Sequence, residues 1–240
     1  SPEELVATND ALFFVAPSID NKEQVWRTNG TPEGTFPLTS QSSFNRLTRV
    51  GDTVYFRNGY TIWKTDGSVN GTSLVIDFKW FFPFNLTPVG DLLFFTTEPG
   101  SGLREFWRSD GTAEGTFPIL ELPLGIEGPE FPIETVGARV YFAADDGMSG
   151  KELWTSDGTV AGTYRVADIV AGPGSSNPRN LIHADGELFF TTGSALVTEL
   201  WTTDGTSEGT KRIKDFSPGR IRASCSPSPS GNRKRERIST

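Results

Sequence analysis

The sequence predicts an all-β protein, folded as a five-bladed β-propeller of four-stranded antiparallel blades. Three observations support this prediction. A ten-residue motif recurs five times along the 240 residues. The 26 Gly and 16 Pro residues indicate many turns, and the stretches between them show no sustained helical stripe of apolar residues. Consecutive copies lie 37 to 47 residues apart, measured from Trp to Trp, and a repeat of this length is typical of solenoids and propellers.

Each copy of the motif begins with Trp and ends with a Gly-Thr pair, whose Thr lies nine residues after the Trp. The opening residues are Trp26, Trp63, Trp107, Trp154 and Trp201. Four copies place an Asp before the first Gly, and these residues are Asp66, Asp110, Asp157 and Asp204. Their fixed position predicts structural roles: the Trp rings pack between blades, and the Asp carboxylates accept hydrogen bonds from their own turn.

Further shared features place four strands in each copy. An apolar anchor residue marks strand A, and an aromatic pair marks strand B. Strand C ends at the Trp, and strand D follows the Gly-Thr pair. This gives about 20 short strands, one for roughly every 12 residues of sequence, which is the spacing of an all-β fold. Four-stranded units repeated around an axis make a propeller, in which only short sheet edges stay free.

The propeller is assigned to residues 1–216, in blades of approximately 1–40, 41–79, 80–122, 123–170 and 171–216. Residues 217–240 form a basic, Ser/Pro-rich tail that we expect to be poorly ordered or draped on the propeller. The first blade begins with strand A and the fifth ends with strand D, so the two share no strand. We therefore expect ring closure to rest on face-to-face packing of the first and fifth blades.

In the fourth and fifth copies, beginning at Glu152 and Glu199, the sequence reads Glu-Leu-Trp-x-x-Asp-Gly-Thr. This pattern resembles the ELWxxDGT repeat family of bacterial, mostly exported proteins, and the resemblance covers about residues 1–219. It implies a propeller-like, extracytoplasmic protein (secreted, periplasmic or on the cell surface) whose export signal has been removed. It brings no catalytic residues. The first copy departs from the pattern, with Asn29 in place of the Asp.

The connections differ in length between the two rims of the predicted propeller. The A-to-B and C-to-D intervals are nine residues in all five copies, whereas the B-to-C interval runs from 7 to 12 residues and the D-to-A connection also varies. In an up-and-down blade, the B–C and D–A loops lie on the same rim. Because binding residues concentrate in variable loops on a rigid scaffold, this rim is the candidate functional surface.

One aromatic run on that rim, residues 79–84 (Lys-Trp-Phe-Phe-Pro-Phe), has no counterpart in the other copies. Trp80, in the second D–A connection, is the only Trp outside the repeat register. The next D–A connection is also apolar, which favours one continuous patch for a protein partner. The predicted partner-binding residues are Trp80, Phe81, Phe82, Phe84, Leu124, Ile126 and Phe131. In the alternative interpretation, the rings of the aromatic run fill a gap between the second and third blades.

Composition argues against several function classes. With one Cys and one His, the chain has neither a disulfide framework nor a Cys-based zinc site, and little capacity for imidazole chemistry. Residues 1–216 carry 16 basic and 29 acidic groups, a net charge of −13, which opposes nucleic-acid binding. No apolar run is long enough to span a membrane, and no phosphate-loop or dinucleotide motif occurs. We therefore expect a protein that is not an enzyme and needs no cofactor.

Two functions stay open. The first is a protein-binding scaffold or accessory subunit that binds another protein or a larger assembly through the B–C and D–A loops. The alternative is a multivalent carbohydrate-binding, lectin-like module with one site per blade, in which the repeated Trp rings stack on sugars. No metal site is expected. The weak calcium candidates are Asp145, Asp146 and Glu152, whose spacing does not fit an EF-hand loop.

Overall fold

The computed structural model describes residues 3–40, 44–99, 103–123, 130–194 and 197–216. These residues form twenty β-strands and no helix, and hence no helix that is long and apolar enough to cross a membrane. The strands make five four-stranded antiparallel sheets, each with its strands in chain order. The prediction of an all-β fold built from five four-stranded antiparallel units is confirmed. The predicted tail, residues 217–240, lies outside the described residues.

The strands of each sheet follow one another along the chain. The first sheet contains β1 (Glu3–Ala7), β2 (Leu12–Pro17), β3 (Glu23–Thr28) and β4 (Phe36–Pro37). The second contains β5 (Phe44–Val50), β6 (Thr53–Asn58), β7 (Thr61–Thr65) and β8 (Ser73–Asp77). The third contains β9 (Pro83–Val89), β10 (Leu92–Thr97), β11 (Leu103–Ser109) and β12 (Phe117–Pro123). The fourth contains β13 (Glu130–Val136), β14 (Arg139–Asp145), β15 (Lys151–Ser156) and β16 (Tyr164–Arg165). The fifth contains β17 (Arg179–Ala184), β18 (Glu187–Ser194), β19 (Val197–Thr203) and β20 (Lys211–Asp215).

The aromatic pair of each second strand supplies one ring to each face of its sheet, because side chains alternate across a strand. The second ring of the pair lies opposite the repeated Trp of the third strand. These opposed residues are Phe14 and Trp26, Phe56 and Trp63, Phe95 and Trp107, Phe142 and Trp154, and Phe190 and Trp201. Each sheet is therefore apolar on both faces, and both faces favour burial.

Consecutive sheets bury these faces against each other. Four clusters of buried apolar side chains lie between the first and second, second and third, third and fourth, and fourth and fifth sheets. The first strands of consecutive sheets are also in contact, β1 with β5, β5 with β9, β9 with β13, and β13 with β17. Burying one Phe or Leu side chain contributes about 1.5–3 kcal/mol, so the four layers between sheets form the hydrophobic core.

The first and fifth sheets do not meet in the way that the sequence led us to expect. Among the described residues, no cluster of buried side chains joins them. Leu5, on the side of the first sheet that faces away from the second, is 61% exposed, and Ile213 of the fifth sheet is 49% exposed. The expected face-to-face packing of these two sheets is therefore absent from the described part of the chain.

Two strand boundaries differ from the prediction. The third strand does not end at the Trp but runs two residues further, to Thr28 in the first sheet. The hydroxyl at that position pairs with the closing Thr of the motif, as Thr28 does with Thr35 at 2.6 Å, and this contact carries the strand into the turn. β4 and β16 have only two residues each. After β16 the Val166 N–H still donates to the carbonyl of Leu153 at 2.8 Å, and beyond it the chain folds over β15.

Every first strand contains a β-bulge or register shift that the sequence did not predict. In four of these strands one residue has left-handed backbone, and these residues are Glu4, Arg46, Asn85 and Asn180. A bulge leaves an N–H group without its ladder partner. The Glu4 carboxylate accepts the N–H of Leu47 at 3.1 Å, and Glu134 accepts that of His183 at 3.0 Å. Carboxylates of one sheet thus bind the irregular first strand of the next.

Candidate functional site

A tight turn shapes the connection between β8 and β9, which carries the aromatic run. Lys79 has left-handed backbone with a φ of 66°, and the N–H of Trp80 donates to the carbonyl of Phe78 at 2.7 Å. The Asp77 carboxylate accepts hydrogen bonds from the Lys79 ammonium and backbone groups at 2.5 and 2.9 Å. These hydrogen bonds lower the pKa of Asp77. The turn therefore holds successive aromatic side chains in fixed and different directions.

Part of the run points into the core. Phe78 is 6% exposed, and its ring centroid lies 5.1 Å from that of Trp107 and 5.5 Å from that of Phe81. Phe81 packs against the buried cluster between the second and third sheets. Gap filling therefore describes Phe81. The partner-binding role that the sequence predicted for Phe81 does not match this inward position.

The rest of the run points outward. Trp80 is 85% exposed, and Phe82 and Phe84 are 42% and 40% exposed. The Phe82 ring lies 4.5 Å from Tyr60 and 6.3 Å from Phe84 between centroids. We name Tyr60, Phe82 and Phe84 the aromatic patch; Trp80 projects from the same connection.

Sequence reasoning missed Tyr60, which lies in the short loop between β6 and β7. The only signal for it was the seven-residue B-to-C interval, the shortest of the five. The carbonyl of Tyr60 accepts the N–H of Phe78 at 3.0 Å. A B–C loop and a D–A connection are thus joined at this place, and together they build the patch.

Arg57 lies beneath the aromatic patch. Its guanidinium carbon is 5.9 Å from the ring centroids of both Phe82 and Phe84, within the range of a cation–π contact. Its Nη1 donates to the carbonyl of Pro83 at 3.0 Å, and its Nε donates to the Asn45 side chain at 3.0 Å. Burial lowers the pKa of Arg57 from its usual value, and the group stays a cation at neutral pH. Arg57 therefore holds two exposed rings on a fixed base.

A recess of about 210 Å³ adjoins the patch at Phe84 and is otherwise lined by polar side chains, Asn85, Thr96, Glu98 and Arg104. Arg104 donates to Glu98 through its Nε at 3.0 Å, and the two form an ion pair. The Asn85 amide donates to the Thr96 hydroxyl at 3.3 Å. An exposed apolar centre with a polar border is the usual composition of a protein-binding surface.

The second predicted part of the contact surface falls largely outside the described residues. Leu124 and Ile126 lie outside the described residues. Phe131 is the second residue of β13. Whether the apolar connection before β13 continues the aromatic patch therefore stays a prediction.

The calcium candidates bind their own loops. Asp145 accepts the N–H of Gly147 at 2.8 Å, and Asp146 accepts those of Met148 and Ser149 at 2.9 and 2.8 Å. Within the described ranges, no group of three or more His, Cys, Asp or Glu side chains is arranged to hold a metal ion. These carboxylates therefore act as turn and loop acceptors.

Glu152, the third candidate, is completely buried. Its carboxylate accepts the N–H groups of Ile169 and Val170 at 3.2 and 3.4 Å, and the N–H and hydroxyl of Ser176 at 3.0 and 2.6 Å. Burial raises the pKa of Glu152, although these hydrogen bonds oppose the shift. The side chain ties the long connection between β16 and β17 to the edge of β15.

The four repeated Asp residues, Asp66, Asp110, Asp157 and Asp204, make the same contacts in each copy. One carboxylate oxygen accepts the backbone N–H two residues on at 2.8–2.9 Å, and the hydroxyl of that residue at 2.7–2.8 Å. These hydrogen bonds lower the pKa of all four carboxyl groups. The Asp residues stabilise the turn.

The repeated Trp residues belong to the contacts between sheets. Four of them, Trp63, Trp107, Trp154 and Trp201, pack in the buried layer against the preceding sheet. The indole N–H groups of Trp107 and Trp201 donate to carboxylates of their own strands at 2.9 and 3.1 Å. Trp26 stacks on Phe14 with ring centroids 6.5 Å apart and is half-buried. Stacking on a sugar requires a free ring face. Trp154 is 8% exposed, and Trp63, Trp107 and Trp201 are half-buried against the preceding sheet.

Comparison with known proteins identifies a shared fold. No family model matches the chain, and no curated protein matches it. Oligopeptidase B from Leishmania major superposes with a TM-score of 0.56 at 10% sequence identity, covering 92% of this chain and 34% of that one. At this level of identity the likeness concerns the fold alone.

Two further structures match over most of the chain with lower scores. The computationally designed protein Ika8 has a TM-score of 0.48 and 10% identity, with 90% of this chain and 61% of that chain covered. An uncharacterised protein from Listeria monocytogenes EGD-e has a TM-score of 0.46 and 13% identity, with 90% and 65% covered. The chain thus spans less than two thirds of the length of each of these three proteins.

Proposed function

We propose that the protein is a non-enzymatic scaffold or accessory subunit that binds another protein through the surface built by its B–C and D–A loops. The observation that carries this proposal is the aromatic patch, with Trp80 beside it. Phe82 contacts both Tyr60 and Phe84, and these three side chains are 39–42% exposed, while Trp80 is 85% exposed. Exposed aromatic side chains of this size are costly in water and are typical anchors of protein interfaces. Arg57 beneath the patch already restricts these side chains, so they lose less conformational entropy when a partner binds.

The proposed scaffold is a propeller arrangement whose blades are the five sheets; among the described residues, its first and fifth blades do not pack against each other. Contacts between consecutive first strands support this arrangement, because strands nearest a common axis lie close together while outer strands diverge. The four buried layers between sheets make the support rigid. We further propose that the protein acts outside the cytoplasm, as the resemblance to the ELWxxDGT repeats implies.

A lectin with one site per blade receives less support. That function needs five equivalent Trp rings open to solvent, whereas four of the five pack against a neighbouring sheet. Among the described residues, the exposed rings that contact one another, those of Tyr60, Phe82 and Phe84, lie at one place, between the second and third sheets. A single anchoring patch fits one protein partner better than five equal sugar sites.

The test is affinity capture from the producing cells and their medium with three forms of the protein. These are the wild type, the patch variant Trp80→Ser/Phe82→Ser, and the control variant Val69→Ser/Val160→Ser. The control residues are 59% and 63% exposed but lie in the turns of the opposite rim. We expect wild type and control to retain the same partner protein in a fixed ratio. The patch variant should retain at least tenfold less of that protein.

Equal retention by the patch variant contradicts the proposal. A glycan array run with the same proteins distinguishes the alternative: sugar binding that falls by a similar amount when the Trp of any one sheet is replaced would favour the lectin and overturn the scaffold. Circular dichroism of each variant checks that the fold is intact.

A further inference from the structure

The contact between consecutive sheets uses the same positions four times. We call the side of a sheet that covers the next sheet along the chain its forward face, and the side that covers the preceding sheet its rear face. Three positions on the forward face are apolar and at most 6% exposed in the first four sheets. They are Phe13, Val25 and Leu38; Tyr55, Ile62 and Val75; Phe94, Phe106 and Ile119; and Tyr141, Leu153 and Val166.

The fifth sheet keeps these apolar positions on a forward face that no described sheet covers. Phe189 and Leu200 are half-buried, and Ile213 is 49% exposed. Phe216 follows the last Thr of its motif by six residues and is 59% exposed, whereas Phe78 at the same place in the second copy is 6% exposed. The sequence has thus kept the composition of a buried contact on a surface that lies open.

The rear face of the first sheet shows the complementary pattern. In the other four sheets the Phe opposite the repeated Trp is completely buried, and these residues are Phe56, Phe95, Phe142 and Phe190. In the first sheet Phe14 is only half-buried, and Leu5 is 61% exposed. This rear face is therefore also apolar, and no described sheet covers it.

The surroundings of the first glycine of the motif show how the two open faces complement each other. A Cβ added to Gly67 would lie 3.3 Å from the Phe13 ring of the preceding sheet. The corresponding glycines of the later copies, Gly111, Gly158 and Gly205, face the aromatic residues Tyr55, Phe94 and Tyr141 in the same way. Gly30, in the first copy, has the same left-handed backbone but nothing within 4 Å of its added Cβ. The ring that the repeat would place against Gly30 is that of Phe189.

We propose that a second copy of this chain covers each open face, with the fifth sheet of one molecule against the first sheet of the next. The occupant follows from the chain itself, because four forward faces of this composition are each covered by a rear face of this composition. The two surfaces differ, so the contact is heterologous and can repeat, giving rings where the rotation closes and filaments where it does not. The proposal is independent of the aromatic patch, which lies between the second and third sheets.

The test uses the full chain and two variants that each block one face. Leu5→Glu places a charge on the rear face of the first sheet, and Ile213→Glu places one on the forward face of the fifth. Val69→Glu, at a 59% exposed apolar residue in a turn, is the control. Because all three positions are exposed, the fold should persist, which circular dichroism and the melting temperature check. Light scattering after size exclusion, over a hundredfold range of concentration, measures the mass of each species.

We expect wild type and Val69→Glu to form species of two or more chains as concentration rises, and each single-face variant to stay monomeric. An equimolar mixture of Leu5→Glu and Ile213→Glu should form a dimer and nothing larger, since that pair retains one intact forward face and one intact rear face. A wild type that stays monomeric throughout, as it would if the two faces met within one molecule or needed another protein, overturns the proposal. So does a Leu5→Glu or Ile213→Glu variant that dimerises alone, which would indicate a two-fold contact between like faces.

Discussion

At the scale of single residues, the turn of the motif is organised around one side-chain oxygen. The carboxylate of Asp110 accepts the backbone N–H and hydroxyl of Thr112 at 2.9 and 2.7 Å, and a Cβ added at Gly115 would overlap it. Gly115 is therefore required by close approach of a side chain. The sequence predicted the hydrogen bonds of the Asp from its place before a glycine. It did not predict the reason for the second glycine, because that reason lies in the folded path of the turn.

These Asp residues predict how stability depends on pH. Their pKa values are lowered in the folded protein, below the value of about 3.9 in an unfolded chain. At a pH between the two values the unfolded chain binds more protons, so the stabilisation is present above about pH 4 and is lost as pH falls through the lowered pKa values. Urea unfolding midpoints between pH 6 and pH 3 measure this loss.

Asn29, which occupies the Asp position in the first copy, supplies the matched variants. Its side-chain oxygen accepts the N–H and hydroxyl of Thr31 at 3.1 and 2.8 Å, so an amide serves the turn without titrating. We expect Asp110→Asn/Asp157→Asn to flatten the loss of stability below pH 4, and Asn29→Asp to steepen it. Identical pH profiles for all three proteins would contradict the role assigned to these carboxylates.

At the scale of strands and loops, equivalent positions of the repeat do different work. Glu105 and Glu199 accept the indole N–H of the Trp two residues on, at 2.9 and 3.1 Å. Glu152 instead binds the connection after β16, and the Trp154 indole N–H is buried without a hydrogen-bond partner. The aligned copies predicted the strands but not the different partners of Glu152, because those partners depend on how a long connection folds back. The bulges of the first strands were missed for a similar reason, since residues such as Glu4 and Arg46 carry no local turn signal.

Replacing Glu152 should therefore release one connection and leave its sheet intact. In Glu152→Ala we expect the amides of Ile169 and Val170 to exchange with solvent at least tenfold faster, because each loses the carboxylate that accepts it. The Ser176 amide should change less, since it also donates to the carbonyl of Lys151 at 3.0 Å. The free energy of unfolding should fall by about 2 kcal/mol, as for hydrogen bonds to a charged group. Hydrogen exchange followed by NMR measures both effects.

Glu105→Ala is the matched control, because Glu105 occupies the same repeat position and binds within its own sheet. Exchange of the three amides should stay at the wild-type rate in that variant. Unchanged exchange in Glu152→Ala would mean that other contacts hold the connection and would contradict the assignment.

At the scale of the whole molecule, the number and order of the sheets followed from the repeat, whereas the contents of the surface did not. Period and strand spacing predict which residues form sheets, since each copy must satisfy the same backbone bonds. The aromatic patch combines Phe82 with Tyr60 from another loop, and Phe81 turns inward beside them. Such a division depends on the backbone of Lys79, and nothing in the order of the aromatic residues indicates it.

The open faces also predict a gradient of stability along the molecule. Sheets in the middle are packed on both sides, whereas the first and fifth are packed on one side only. At concentrations low enough to keep the chain monomeric, we expect amides of β20 to exchange at least tenfold faster than those of β8, a difference of about 1.4 kcal/mol in local opening. Every side chain of β20 is exposed, whereas Val75 of β8 is buried. Equal protection of these two strands would indicate that the fifth sheet is covered after all.

The turn glycine bears on how such a protein can change over generations. A Cβ added to Gly30 would contact nothing within 4 Å, whereas one added to any of its four counterparts would contact an aromatic residue of the preceding sheet. The first sheet thus differs from the others in its surroundings and very little in its sequence. An extra sheet gained by gene duplication could pack between any two consecutive sheets without a change in their sequences. Unit number can therefore vary among descendants far more easily than unit shape.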